Sequence, residues 1–242
     1  MPSSNKKIVK SKQTSDQLVL LLLIAACLIL FAYLHILQNT NPWRPSVYNS
    51  YTLQALQWRE GKIALDHDYP HLELAIYNNK YYVSFPPVPA IPIYFLTFIF
   101  GENVPDALLI QCYALVSCLL VYRILRRKSL PAIQSARNAF LFCFASSLLA
   151  LLQNGAVWYQ AQILAFLFTI AAIERMQNNK LTAALFCFAL SVGCRPLQAL
   201  YGPLLILYGV RKNKLATKVV IKPQNPLDNY SIQKDISQVK EA

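Results

Sequence analysis

The chain has 242 residues, of which 55% are hydrophobic and 14% charged, well below the roughly 25% charge of soluble domains. The apolar residues are gathered in long runs, which excludes an ordinary soluble core and reads as a multi-pass membrane protein. The formal charge of +12 does not point to nucleic acid, because the basic residues flank apolar runs and fill the C-terminal tail.

Residues 1–17 are polar and hold Lys6, Lys7, Lys10 and Lys12. Leu18–Leu37 follows as 20 nearly uninterrupted apolar residues. At 1.5 Å per residue that is about 30 Å, one hydrocarbon core. The run is long for a signal peptide and lacks a small-x-small cleavage site, so it is expected to stay as an anchor. The four lysines place the N-terminus in the cytoplasm.

Residues 38–106 are then an extracytoplasmic loop. The apolar spacing of Leu53, Leu56 and Ile63, beside Trp58, predicts an amphipathic helix at the membrane surface. Asp66, His67, Asp68, Tyr69 and Pro70 form an acidic, turn-like cluster. From Leu72 to Ser84 aromatic and polar residues alternate, and Asn78-Asn79 predicts a tight turn between two short extended pieces. Val88–Phe100 is apolar but has only 13 residues and two prolines, so it is expected to lie in the interface.

The next spans are expected at 107–125, 138–153 and 156–173, with Arg123, Arg126, Arg127, Lys128 and Arg137 clustered after the first of these. Residues 181–210 are interrupted at Cys194-Arg195-Pro196 and read as two short helices, with a kinked single helix as the other reading. The fold expected is an all-α membrane protein of about six transmembrane helices, with surface helices in the large outer loop. The membrane domain covers 18–210, and 211–242 is a basic cytoplasmic tail without an ordered core. In this topology 18 of the 23 lysines and arginines lie inside, as the positive-inside rule requires.

Three carboxylates, Asp66, Asp68 and Glu73, fall within eight residues of the outer loop. They are candidates for a general base, with a solvated acidic turn as the plain alternative. Tyr81, Tyr82 and Phe85 are candidates to line a sugar or lipid groove, or to form an interfacial aromatic belt. Arg195 is the sharpest single residue, since a guanidinium in an apolar stretch needs a cavity, an anion or a partner, and its fork suits phosphate. The six cysteines lie in or beside apolar runs without metal-ligand spacing, and His35 and His67 have no spaced partners, so no metal site is assigned. The sequence neither names a cofactor nor supports a divalent metal. Walker, G-x-S-x-G and H-E-x-x-H motifs are missing from it.

The order of these features resembles the C-type integral-membrane glycosyltransferases, the superfamily of protein O-mannosyltransferases and aminoarabinose transferases. The matching stretches are SFPPVPAIPIYFLTFIFG (84–101), YRILRRK (122–128) and ALSVGCRPLQALYGP (189–203). The resemblance implies transfer of a sugar from a polyprenyl-phosphate donor to a cell-envelope acceptor at the outer face. It implies a loop carboxylate as base, Arg195 on the lipid phosphate and Lys80 as a second contact. Where the family carries an early acid, this chain has VYNSY (47–51) with Asn49, and an amide cannot act as a base. The base role therefore falls to Asp66, Asp68 or Glu73, of which Asp68 in the DYP turn is the first choice. The second reading is a non-catalytic scaffold or a lipid-carrier-binding subunit of an envelope-polymer system.

Overall fold

The computed structural model describes residues 2–209, with side chains described from residue 15 onward. The charged N-terminal side chains and the tail expected at 211–242 lie outside the described residues. Residues 2–202 make one unit, taken first here.

Three helices are long and apolar enough to cross a bilayer: α1 (Pro2–Gln38, its apolar part Ser15–Gln38), α4 (Asp106–Arg127) and α7 (Val157–Gln177). They fall on three of the runs expected to span. Side-chain contacts fix their relative directions. At one end of the bundle His35 near the end of α1 meets Gln111 of α4, and Asp106 of α4 meets Gln160 of α7. At the other end Asp16 of α1 pairs with Arg126 of α4, and Arg127 of α4 pairs with Glu174 of α7. Hence α4 and α7 run parallel, and α1 runs against them. The core is a contiguous packing of Leu23, Cys27 and Phe31 from α1 against Ile110, Ala114 and Cys118 of α4, with neighbours from α5 and α7. Cys27, Cys118, Cys143 and Cys194 are buried free thiols, Cys187 is half-buried and Cys112 is exposed. The buried four act as small hydrophobes.

Between α4 and α7 the chain makes α5 (Ala132–Phe144) and the single turn α6 (Leu148–Leu151). The run at 138–153, expected to be one span, is therefore divided at 145–147, where Ser146 turns its hydroxyl onto the carbonyl of Cys143 and the N–H of Leu148. A serine bonded to the nearby backbone offers it an alternative to continuing the helix. After α7 comes α8 (Leu181–Cys194), then a break at Arg195 and a 3-10 turn over Pro196–Tyr201. The break has a local cause. Proline disfavours the helical region for the residue before it, and Arg195 is extended at φ −144° and ψ 110°. With 13 and 14 residues, α5 and α8 reach about 20 Å each. In the second unit, 203–242, the described residues 203–209 are helical.

The segment from α1 to α4 carries α2 (Ser50–Arg59), a two-stranded antiparallel hairpin of β1 (Leu74–Tyr77) and β2 (Lys80–Val83), and α3 (Ala90–Phe100). The mostly helical class thus includes one small sheet. Its turn is Asn78-Asn79 as expected, with φ of 49° and 56°. Asparagine tolerates the left-handed region that a two-residue hairpin turn demands. Leu65 bridges to Tyr81 and ties the acidic turn to β2. The amphipathic reading of 48–65 needs correction. Helix α2 exists, but the side chains it buries include Ser50, Thr52, Gln54 and Gln57, while Leu53 and Leu56 are only half-buried and Ile63 is exposed.

Glu174 is the tie at the far end of α4 and α7. Its side chain is 1% exposed, with Arg127 Nη1 at 2.9 Å, Arg175 Nε at 3.6 Å and Arg123 Nη2 at 3.9 Å. Neither carboxylate oxygen meets hydrogen-bond geometry, so the contacts are charge contacts. A buried carboxylate neutralised by several guanidiniums leaves those cations uncompensated when it is removed. Glu174→Gln is expected to destabilise the bundle by about 3 kcal/mol, read as a lower Tm in detergent, whereas Glu60→Gln, at a surface pair with Lys62, should leave Tm unchanged.

Candidate functional site

The site forms where the first turn of α7, the break after α8 and the buried face of α2 come together. Arg195, half-buried, donates from Nη2 to the Trp158 carbonyl at 2.7 Å. Its Nε is buried and has no partner. The first-turn carbonyl of α7 is thus engaged by the arginine, and part of the guanidinium edge stays unpaired. A buried unpaired donor on a cation is costly, so a polar group at this position would be bound with matching gain.

Tyr51 on α2 is 1% exposed and its hydroxyl also has no partner. Burial pushes its phenol well above the ordinary range, and the positive charge of Arg195 pulls in the opposite direction. Next to it on the same helix, Ser50 Oγ, Thr52 Oγ1 and Gln54 Oε1 are buried and unpartnered as well. Buried polar atoms are nearly always satisfied in folded proteins. Along α2 these atoms form a run of unsatisfied polar groups, of which the Tyr51 hydroxyl lies within electrostatic reach of Arg195.

Aromatic rings wall the site. Trp158 packs on Tyr48 with centroids 5.2 Å apart and meets Phe85 edge-on at 6.2 Å, and Phe85 in turn meets Tyr51 at 6.5 Å. Phe85 opens the proline-rich stretch, and that stretch is pinned to α8 by a close approach. A Cβ on Gly193 would come within 2.5 Å of Val88 Cγ2. Glycine at 193 therefore lets the two stretches that carried the family resemblance, around Pro86-Pro87 and Arg195-Pro196, touch. Behind Arg195, Thr169, Ser191 and Gln198 share hydrogen bonds of 2.8 and 3.2 Å that anchor the break to α7.

The carboxylates separate by position. Glu73 is exposed, yet its Oε2 accepts from Trp158 Nε1 at 3.4 Å, and its backbone carbonyl accepts from Ser84 Oγ at 2.8 Å. It is therefore two contacts from Arg195, through Trp158. Asp66 lies past the end of α2, bonded by Gln57 Nε2 at 2.7 Å and Lys62 Nζ at 3.2 Å. These donors, Gln57 first, hold its carboxyl below the usual carboxylate range, which makes it a weaker base than a free one. Asp68 is exposed on the acidic turn, and Lys80 is exposed at the tip of the hairpin. Tyr81 and Tyr82 are half-buried in β2, paired with Ile76 and Ala75. Arg195 and Glu73 thus both bond Trp158, while Asp66 bonds Gln57 and Lys62 instead.

Asp106 escaped the sequence reading. It is fully buried at the start of α4, where Oδ2 accepts from Ser46 N–H at 2.8 Å and Oδ1 from Gln160 Nε2 at 2.6 Å. Gln160 also donates to the Gly155 carbonyl at 2.8 Å. Both carboxylate oxygens are engaged, so Asp106 organises the α4–α7 contact. Its only sequence signal is an acid following Pro105 at a helix start, where it suits the positive end of the dipole. Among the described residues no three His, Cys, Asp or Glu side chains converge on a point.

Removing the unpaired phenol oxygen tests whether Tyr51 is an orphan in the unliganded fold. Tyr51→Phe is expected to keep or raise Tm, by about 1 kcal/mol of relieved desolvation; a drop in Tm would mean the hydroxyl is already satisfied.

The family model for dolichyl-phosphate-mannose-protein mannosyltransferase matches residues 84–222, more than half the chain. No curated protein and no solved structure matches it. The matched stretch includes Phe85, the proline-rich segment, α4, α7 and Arg195, but begins after α2 and the hairpin. On that match the chain belongs to the dolichyl-phosphate-mannose-protein mannosyltransferase family, and with it to the membrane glycosyltransferases of the C-type superfamily.

Proposed function

We propose that this protein transfers a sugar from a polyprenyl-phosphate donor to a cell-envelope acceptor at the outer face of the membrane. The observation that carries the reading is Arg195, a half-buried guanidinium with an unpartnered Nε beside the unpartnered Tyr51 hydroxyl. In the reaction the bond from the anomeric carbon to the phosphate oxygen breaks, and the polyprenyl phosphate leaves with the electron pair. A bond to the acceptor oxygen forms, with inversion at the anomeric carbon, and a carboxylate takes the acceptor's proton. Arg195 then offsets the negative charge that grows on the departing phosphate, where a preorganised cation is worth most. Among the loop carboxylates Glu73 has the best claim to the proton, because it bonds the indole of Trp158, the residue whose carbonyl accepts from Arg195; Asp68 is the next. Lys80, Tyr81 and Tyr82 on the hairpin would meet the acceptor from the loop side.

In this reading the chain makes about six crossings, three of them α1, α4 and α7, with α5 and α8 as shorter passages. Both termini are cytoplasmic, the segment from α1 to α4 is outside, and the Glu174 arginine cluster is inside. The charge distribution supports that orientation.

A second reading, a carrier-binding subunit without catalysis, is favoured by one observation. The buried carboxylate Asp106 has both oxygens engaged, and Asp66 is paired, which leaves only exposed acids. The two readings part in proteoliposomes supplied with a polyprenyl-phosphate sugar and an envelope acceptor. The enzyme reading expects Glu73→Gln to lower turnover by about 100-fold or more while donor binding persists, and Arg195→Ala to lower both. Full turnover in Glu73→Gln and in Asp68→Asn would remove the loop-base mechanism. No turnover at all, with donor binding that depends on Arg195, would establish the carrier-binding subunit.

A further inference from the structure

A polar cavity of about 480 Å³ opens beside the Asp106 tie, where Ser46, Ala107 and Gly155 line it. Asn39, Thr40, Asn41 and Arg44, from the turn after α1, line one wall. Gln153 and Asn154, before α7, line another. The volume is in the range of small-molecule sites. The family match begins at residue 84, so the α1 wall lies outside it.

The hydrogen bonds around this cavity leave donors over. Asn41 Oδ1 accepts from the Trp43 N–H at 2.9 Å, and Asn154 Oδ1 accepts from the Ala156 N–H at 3.0 Å. Each asparagine therefore keeps its Nδ2 hydrogens for another partner. His35 Nε2 lies 2.8 Å from Gln111 Nε2, an N–H donor, so the ring accepts there and carries its proton on Nδ1. That Nδ1–H then donates to Thr40 Oγ1 at 2.8 Å, which frees the hydroxyl hydrogen of Thr40. Arg44 is exposed and its guanidinium has neither hydrogen-bond nor ion-pair partner among the described residues. Among the described residues no carboxylate lines the cavity, and Asp106 next to it has both oxygens engaged by Ser46 and Gln160.

Such a wall, rich in N–H and O–H donors, with one free guanidinium and no anion, matches a ligand that presents many oxygens and one negative charge. Arginine pairs with carboxylate and phosphate through parallel hydrogen bonds, while amides and a hydroxyl suit sugar oxygens. We propose that the cavity beside α1 binds a small saccharide bearing an oxyanion, a carboxylate or a phosphate, independently of the Arg195 site. The first turn of α7 separates the two sites, with Trp158 toward Arg195 and Gln160 toward Asp106.

Isothermal titration of the detergent-purified full chain with glucuronate, glucose 6-phosphate, methyl glucoside and inorganic phosphate tests this. Glucuronate or glucose 6-phosphate is expected to bind at least 10-fold more tightly than methyl glucoside and than inorganic phosphate. Which of the two wins identifies the oxyanion. Arg44→Gln is expected to weaken that binding at least 10-fold with wild-type Tm, Thr40→Val severalfold, and Arg195→Ala not at all. Arg44 and Thr40 are exposed, so both variants fold. Equal binding of methyl glucoside removes the oxyanion, and equal binding of inorganic phosphate removes the saccharide. Absence of binding by either charged sugar, or unchanged binding in Arg44→Gln, overturns the site.

Discussion

The parallel clamp between α4 and α7 is the constraint on which the rest of this structure depends. It is fixed at both ends by buried carboxylates. At one end Asp106 takes two hydrogen bonds from Ser46 and Gln160. At the other Glu174 gathers Arg123, Arg127 and Arg175. Hydrogen bonds to a charged group each contribute about 1.5–3 kcal/mol, more than most neutral pairs. Gly155 makes the first end possible, since a Cβ there would sit 2.1 Å from Asp106 Cβ, well inside any contact distance. With two parallel helices locked, the chain between them must return in the opposite direction, which α5 does.

The clamp also sets the chemistry. Because Gln160 turns toward Asp106, the same first turn of α7 offers Trp158 to the other side. Trp158 then gives its carbonyl to Arg195 and its indole N–H to Glu73, and its ring to Tyr48 and Phe85. One helical turn thus separates a structural carboxylate from a candidate reactive one. The polar face of α2 carries buried hydroxyls and amide oxygens that have no partner among the described residues. An apolar α2 face would pack better. Its retention as polar is what a ligand-binding surface requires, and stability is given up there.

Much of the scaffold was legible in the residues. The apolar runs that became α1, α4 and α7 are long enough to identify by length and composition alone. Asn78-Asn79 announced the hairpin through its tolerance of positive φ, and Arg195-Pro196 announced the break in α8. What stayed hidden depends on partners far away in the chain. Asp106 and Gln160 are 54 residues apart, so the pairing that gives Asp106 its role has no local signal. Glu174 falls just past the span expected at 156–173, although it is a buried anchor in the last turns of α7. The division at 145–147 is invisible to a hydrophobicity pattern, since Ser146 is a single hydroxyl in an apolar run. The spacing of Leu53, Leu56 and Ile63 suggested a membrane-facing α2, but packing under α3 and α7 chose the other face. Asp66, Asp68 and Glu73 were equivalent by spacing, and only the position of Trp158 tells them apart.

The central claim is that the unpaired edge of Arg195 holds a lipid-borne phosphate. Native mass spectrometry of the detergent-purified protein, with Arg195→Ala alongside, tests it most directly. A polyprenyl phosphate or sugar-phosphate adduct on the wild type, absent from the variant, is the predicted result, and its mass would identify the sugar. Ordinary phospholipid alone, retained equally by both proteins, would contradict a phosphate site at Arg195.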